Sequence, residues 1–289
     1  MEFYHLRSFV AVAQTGNLTQ AAKRLYSTPP AISAHIKALE QELSTALFVR
    51  SSKGMALTDK GRLLLEKAQA TLTSAQDLVN TAANNQHDII GHFRLAINLP
   101  VERIKLPQLI NNLKENCPGI SVDIHQQATG KTLVEIREQQ LDGGYISGDV
   151  PEDCLGINVK QQQITTIAPL RYDANKLQSQ SALNQQPWIT MGDYCPFDIF
   201  LKEKLGDDVP SALTTSDNST RLELVKNGVG LSFLEYEEAI EAADKQQIQI
   251  IPTLDFSTPL HFIVLKQRAT EPVIKALRQE IRILWGVAL

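Results

Sequence analysis

Cysteine is scarce in this chain of 289 residues: Cys117, Cys154 and Cys195 stand far apart with no CxxC spacing. That excludes a disulfide framework and a structural zinc site, and leaves a free buried thiol as the default for each. No apolar run approaches the ~18 residues that a membrane helix needs. The first residues lack the charged-then-apolar pattern of an export leader, so the expectation is a cytoplasmic chain with no membrane partner. Catalytic spacings are missing too. There is no GxSxG elbow, HExxH or P-loop, and Gly228-Val-Gly230 follows a helical stretch and precedes a strand, the reverse of a dinucleotide fingerprint. The six histidines, His5, His35, His87, His92, His125 and His261, share no helix or strand spacing. The chain is therefore read with no catalytic residue, no metal and no cofactor.

What is present is the composition of a globular protein, 43% hydrophobic and 21% charged, long enough for about two to three compact units. The net charge of −4 divides unevenly. Residues 1–65 hold eight Lys/Arg against four acids, a local +4, which leaves −8 for the remainder. A basic first fifth on an acidic body suits a small domain that alone meets phosphate, although a solvated basic face would give the same count.

The stretch 17–47 organises the rest. Thr19 can cap a first helix whose Ala21, Ala22 and Leu25 recur at helical spacing, the alanines letting a second helix cross closely. Tyr26-Ser-Thr-Pro-Pro breaks the chain, and Pro30 suits the first turn of a new helix. There Ile32, Ile36, Leu39 and Leu43 point inward, leaving Ser33, Ala34 and Lys37 outside. With a preceding helix over 6–15, this fits the helix-turn-helix that lays its second helix in the DNA major groove, while an ordinary helical hairpin would share the pattern. Strand-like runs at 48–50 and 55–57 around a Ser-Lys-Gly turn read as a wing carrying Arg50 and Lys53. Thr58 can cap a helix reaching about residue 84. Its Leu65, Ala68, Leu72, Ala75, Val79 and Ala82 follow a heptad seam, which buries little unless a partner covers it. The polar stretch 81–88 then reads as a hinge.

From Gly91 strands alternate with helices: strand 93–98, helix 106–116, strand 120–125, helix 131–140 and a short strand at 145–146. This implies a largely parallel sheet with helices on both faces. Residues 155–170 are too long for one compact strand and read as a crossing into a second α/β lobe. That lobe holds strands at 188–191, 212–215, 229–234 and 248–251, with helices at 196–205, 218–227 and 235–243. Residues 260–266 cross back, and a helix over 271–285 returns to the first lobe. Two lobes joined by two crossings make a cleft, and ligands in such sheets bind at the carboxyl ends of strands beside helix N-termini. Those positions carry Asn98, Pro100, Val101, Thr129 and Ser147 in the first lobe, and Cys195, Phe197, Ser216 and Asp217 in the second.

Residues 6–61 resemble the N-terminal domain of LysR-type transcriptional regulators nearly throughout. The resemblance rests on LRxFVAVA, Gly16 before the capped helix, AAxRL, PAIS, IxxLExEL, LFxR and LTxxG in order. Beyond Gly61 it is looser, resting on Gly91, Leu106-Pro107, Pro118, Leu141-Asp142 and Gly228-Val-Gly230-Leu. It implies an α/β protein: an N-terminal winged helix-turn-helix (1–58), a linker helix and hinge through which subunits pair (59–90), and a two-lobed α/β effector domain similar to periplasmic binding proteins (91–289). The lobes would be 91–162 with 262–289, and 163–261. The implied partners are a double-stranded DNA operator, a small-molecule effector, and a second copy or three further copies of the chain. Candidate DNA-binding residues are Thr28, Pro29, Pro30, Ser33, Lys37, Arg50 and Lys53; those for dimerisation are Leu65, Ala68, Leu72, Ala75 and Val79.

Three departures from the family pattern bear on what is read. Pro29 stands where the family usually has a glutamine that reaches a base edge, and Ala34 where it often has arginine. Leu99, Pro100 and Val101 stand where similar members place a serine or threonine for a carboxylate, which suggests a less anionic ligand, or none. Cys195 lies at roughly the position of the reactive cysteine in the peroxide-sensing branch, so a thiol-based sensor is an alternative reading. No resolving cysteine follows it. A stand-alone solute-binding protein is the alternative of a different class, and the missing leader argues against it.

Overall fold

The computed structural model describes all residues except 52, 53, 83–87, 193, 216 and 289, and leaves the side chains of Arg50, Ser51 and Asn218 undescribed. Lys53, Ser216 and most of the expected hinge thus lie outside the described residues. The chain divides into two compact units, Met1–Ala83 and Asn84–Leu289.

In the first unit α1 (Phe3–Thr15) ends at Gly16, whose left-handed φ of 62° lets its N–H return to the Val12 carbonyl. α2 (Leu18–Arg24) follows at once. Its cap is Asn17, not Thr19: the helix opens two residues earlier than expected, so the Asn17 side chain accepts from the N–H groups of Thr19 (2.8 Å) and Gln20 (3.2 Å). Tyr26, at φ 51°, turns the chain into α3 (Pro29–Glu42), which Thr28 caps and whose first turn holds Pro29 and Pro30, as expected. Ile32, Ile36 and Leu39 are buried as the spacing predicts. Leu43 is the exception, 37% exposed, because the helix ends at Glu42 and Leu43 belongs to its C-cap.

The hairpin β1 (Phe48–Ser51) and β2 (Gly54–Leu57) is antiparallel, Phe48 opposite Leu57. α4 (Asp59–Thr81) leaves it through Thr58. The Thr58 hydroxyl accepts from the Gly61 N–H (2.8 Å) and donates to the Ala46 carbonyl (2.8 Å), so one side chain caps the helix and fixes the base of the wing. Gly61 is required there, since a Cβ would lie 2.2 Å from the Leu47 carbonyl oxygen. The heptad seam divides. Ala68 is buried in the unit's own core with Leu6, Phe9 and Ile36, and Leu65 and Leu72 pack against it. Only the C-terminal part stays uncovered, with Val79 63% exposed and Leu78 76%. The three-helix core needs a fourth wall, and α4 supplies it through Ala68, while Leu65 and Leu72 are only partly buried against that core.

The second unit is built on a six-stranded sheet. Its elements are β3 (Gly91–Ile97), α5 (Leu106–Asn116), β4 (Ile120–Gln126), α6 (Thr129–Arg137), β5 (Gly143–Ser147), β6 (Cys154–Ala168), α7 (Gln180–Leu183), β7 (Trp188–Thr190), α8 (Pro196–Leu205), β8 (Ser211–Thr214), α9 (Asn218–Lys226), β9 (Ser232–Glu235), α10 (Tyr236–Asp244), β10 (Gln249–Leu265) and α11 (Pro272–Trp285). The strand order is β4-β3-β5-β10-β6-β9, and β7 with β8 forms a second, parallel pair. The sheet is mixed, not largely parallel. β3 runs parallel to β4 and β5, but β10 is antiparallel to β5 and β6, and β6 to β9. The reason is the path of the chain, which leaves the first lobe along β6 and returns along β10 beside it in the opposite direction. The two strands expected at 248–251 and 260–266 are one, irregular in register between Ile251 and Phe256. The short α7 was not foreseen; its four residues carry too little periodicity.

In the first lobe Phe93, Leu109, Phe262 and Leu277 pack on one face of the sheet, and Ala96, Ile136, Ile146 and Ile263 on the other. Asp142 clamps this lobe. Its carboxylate, 6% exposed, accepts from the Arg94 backbone N–H (2.8 Å), Arg94 Nε (2.9 Å) and Nη2 (2.8 Å), and Arg268 Nη1 (2.8 Å). Burial alone would push this carboxyl up, but the hydrogen bonds and charges of Arg94 and Arg268 outweigh it and hold the acid below its usual range. Its stabilising effect is therefore fully present above the unfolded pKa of about 3.9 and is lost as pH falls through the lower folded value. Asp142→Ala should cost about 1.5–3 kcal/mol, since it takes the bidentate acceptor from Arg94 and leaves Arg268 with Glu271 alone. Both tryptophans, Trp188 and Trp285, lie in this unit, so a urea midpoint followed by their fluorescence checks it. A midpoint unchanged from the parent's at pH 7 would refute the clamp.

Candidate nucleic-acid interface and ligand cleft

Burying Ile32, Ile36 and Leu39 turns the other side of α3 outward. Pro29, Pro30, Ala34 and Lys37 are exposed there and Ser33 is half-buried; Thr28, at the cap, is exposed as well. The wing is held to this helix by Glu40, whose Oε1 accepts from the N–H groups of Leu47 (2.7 Å) and Phe48 (3.3 Å). The Met55 N–H reaches the Gly16 carbonyl at 2.8 Å. Between helix and hairpin lies a cavity of about 180 Å³ lined by Leu18, Ser33, Ile36, Lys37, Glu40, Phe48 and Met55. Arg50 is on β1 beside it, its side chain outside the described residues.

Behind the helix, Ser8 Oγ and His35 Nδ1 are 2.8 Å apart, and the rings of Tyr4, His5 and His35 pack edge-on or tilted with centroids 4.5–5.7 Å apart. Burial, then His5, lowers the His35 pKa. Tertiary contact thus brings two histidines together that no spacing joined. Sequence reasoning also passed over Tyr26, 99% exposed between α2 and α3. A tyrosine in a break before two prolines was the available signal. A groove of about 700 Å³ runs between the start of α1 and the end of α4, lined in part by Phe3, Tyr4, Ala75, Leu78 and Val79.

In the second unit the structure joins three of the expected cleft residues. Asn98 Nδ2 lies 3.3 Å from Thr129 Oγ1 and 3.4 Å from Ser147 Oγ, at the ends of β3 and β5 and the start of α6. Ser147 Oγ donates to Gln162 Oε1 at 2.9 Å. Gln162, 1% exposed on β6, was not foreseen, although alternation along Gln161-Gln162-Gln163 could have singled it out. Asn98 Oδ1 and Gln162 Nε2 are buried without a hydrogen-bond partner among the described residues. Pro100 is half-buried, and Val101 sits at the rim, 38% exposed.

Cys195, Phe197 and Asp217, the described second-lobe candidates, turn out to be engaged in structure. Phe197 belongs to an aromatic core with Phe233 and Phe256. Asp217 caps α9, accepting from the Thr220 N–H (2.7 Å) and Ser219 Oγ (2.6 Å), and these bonds hold its carboxyl below the usual range. It also takes a bond from Gln126 Nε2 of the first lobe at 3.2 Å. Asp198 fills the turn after β7, accepting from the N–H groups of Met191 (2.6 Å) and Gly192 (2.7 Å) that an anionic ligand could otherwise use. Cys195 is buried, its Sγ 3.4 Å from Met191 Sδ. Burial first, and Asp198 next, push its thiol up to about 11, the wrong direction for a peroxide sensor.

Residues 3–62 match the family model described as bacterial regulatory helix-turn-helix protein, lysR family, and residues 86–285 match that of the LysR substrate binding domain. The transcriptional regulator CysL of Bacillus subtilis is 28% identical over 258 residues, 87% of this chain and 86% of that protein. ArgP from Mycobacterium tuberculosis superposes with a TM-score of 0.64 at 18% identity, over 96% of this chain and 95% of that one. CbnR complexed with its target DNA gives 0.63 at 20% identity, over 98% and 99%. At these identities the two structures speak for the fold alone. No helix among the described residues is long and apolar enough to cross a membrane.

The raised Cys195 pKa has a measurable consequence. Relative to an ordinary thiol near 8.5, the thiolate fraction at pH 8 is smaller by roughly 200-fold, so iodoacetamide should label Cys195 at least tenfold more slowly in the native chain than in urea. Peptide mass spectrometry reads this, and equal rates would reopen the thiol-sensor reading.

Proposed function

Because the chain belongs to the LysR family, as a DNA-binding transcriptional regulator with a C-terminal effector-binding domain, we propose that its operator-facing surface is the outer side of α3, flanked by the β1–β2 hairpin. The observation that carries this reading is the division of α3 into a buried row, Ile32, Ile36 and Leu39, and an uncovered face opposite it. Thr28, Pro29, Pro30 and Ser33 then approach the base edges, and Lys37 the backbone. Arg50 and Lys53 on the hairpin serve the backbone beside it.

Residues 1–58 form the DNA-binding domain in this reading, 59–90 the linker and 91–289 the effector domain. The uncovered end of the seam, Ala75 and Val79 with Leu78, pairs two copies, and each copy takes one half-site. Leu65, Ala68 and Leu72 support that face from within. The effector is a small molecule held between the lobes, at the polar chain of Asn98, Thr129, Ser147 and Gln162, with Pro100 and Val101 at the rim. Asp198 and the apolar rim speak for a ligand that is not a simple carboxylate. The place of action is the cytoplasm, where a bacterial operator lies.

Lys37→Ala and Arg50→Ala should each weaken binding to every duplex alike and lower the slope of log affinity against log salt by roughly one. Fluorescence anisotropy over a salt series reads this, and unchanged slopes in both would remove the proposed docking. Val79→Arg should yield monomers where the parent sediments as a dimer or larger. An intact assembly would move the interface elsewhere.

A further inference from the structure

The outer face of α3 has an unexpected chemistry for a surface that meets bases. Pro30 and Ala34 lie one turn apart, opposite the buried row, and Pro29 heads the helix; all three are exposed. None carries a side-chain donor or acceptor, so the amide or guanidinium fork that grips adenine or guanine bidentately is missing from this face. The backbone does not replace it. Prolines at the first two helical positions have no N–H, and the next N–H, of Ala31, donates to Thr28 Oγ1 at 3.4 Å. The leading end of α3 therefore presents the methylene groups of Pro29 and Pro30 and, a turn on, the methyl of Ala34; the polar side chains beside them are Thr28, whose hydroxyl oxygen is engaged in the cap, and half-buried Ser33 between Pro30 and Ala34, with Lys37 a turn further.

Among the groups that base pairs display in the major groove, the apolar one is the C5-methyl of thymine. Resting on the docking proposed above, we infer that α3 reads its half-site by apolar contact of Pro29, Pro30 and Ala34 with thymine methyl groups, and not by hydrogen bonds to purine edges. Contact between a proline or alanine and the thymine methyl sheds water from both, whereas a proline set over the N7, O6 or amino groups of the other bases desolvates them without a partner.

The test uses the full chain. Duplexes retained from a randomised pool define the half-site, and each thymine in it is then replaced by deoxyuridine, which deletes the methyl and keeps the base pair. At least one thymine per half-site should weaken binding by about fourfold on replacement, the worth of one buried methyl group. Selection repeated with Pro29→Gln should shift a contacted position toward adenine, and with Ala34→Arg toward guanine. Undiminished affinity for every deoxyuridine duplex, or a half-site specified by guanines alone, would overturn the inference and leave the docking of α3 standing. Retention of no duplex would overturn both.

Discussion

The rotation of α3 about its own axis decides what this protein can touch. Ile32, Ile36 and Leu39 are each at most 3% exposed, and burying such a side chain is worth about 1.5–3 kcal/mol. Turning the outer face inward would expose all three and bury Lys37, so one orientation is far preferred. The wing follows from it. Glu40, on the same helix, receives two N–H groups at the entry to β1, which ties the hairpin to whichever face α3 presents. Thr58 closes the other end of the hairpin onto α4. A helix, a hairpin and a capped linker are thereby held in one geometry by a hydrophobic row and a few hydrogen bonds.

Much of this was legible in the chain because it is local. A cap, a proline pair and a row at helical spacing act within a few residues, so α3, α4 and the hairpin could be placed before any coordinate. The misses have physical causes. Asn17 and Thr19 can both cap, and the choice turns on where the preceding helix stops. A seam of leucines and alanines is the same pattern whether its partner is a second copy or the chain's own core, and α4 uses Ala68 internally and leaves Val79 outside. The antiparallel pairing of β6 with β10 joins strands far apart in sequence, and so does the Asp142 clamp with Arg268. No short-range rule reaches them.

The candidate cleft was legible to a different degree. Strand ends and helix starts named Asn98, Thr129 and Ser147, and the structure joins them. The same rule named Asp217 and Cys195, which cap a helix and fill a core. Strand-end position shows where a side chain stands, and its existing bonds show whether it is available. Asp198 makes the point: two backbone N–H groups at a strand end look like an anion site until an internal carboxylate is found in it.

Availability also governs how the lobes could respond to a ligand. Between the lobes Arg103 pairs with Glu237 (2.6 Å) and Glu241 (2.5 Å), carboxylates that are 70% and 61% exposed. Gln126 reaches Asp217 at 3.2 Å. Exposed pairs of this kind contribute about 0–1 kcal/mol each, so they hold one lobe against the other only weakly. The polar chain at Asn98 and Gln162 is different. A buried donor or acceptor without a partner costs about 1–3 kcal/mol, and Asn98 Oδ1 and Gln162 Nε2 are one of each. A ligand that satisfies both gains more than the rim bonds can oppose, whereas an apolar molecule of the same size leaves that cost in place. Since a ligand shifts a conformational balance only by its difference in affinity for the two states, the proposed effector site makes the polar chain of Asn98 and Gln162 the lever and the ion pairs between the lobes the contacts that yield.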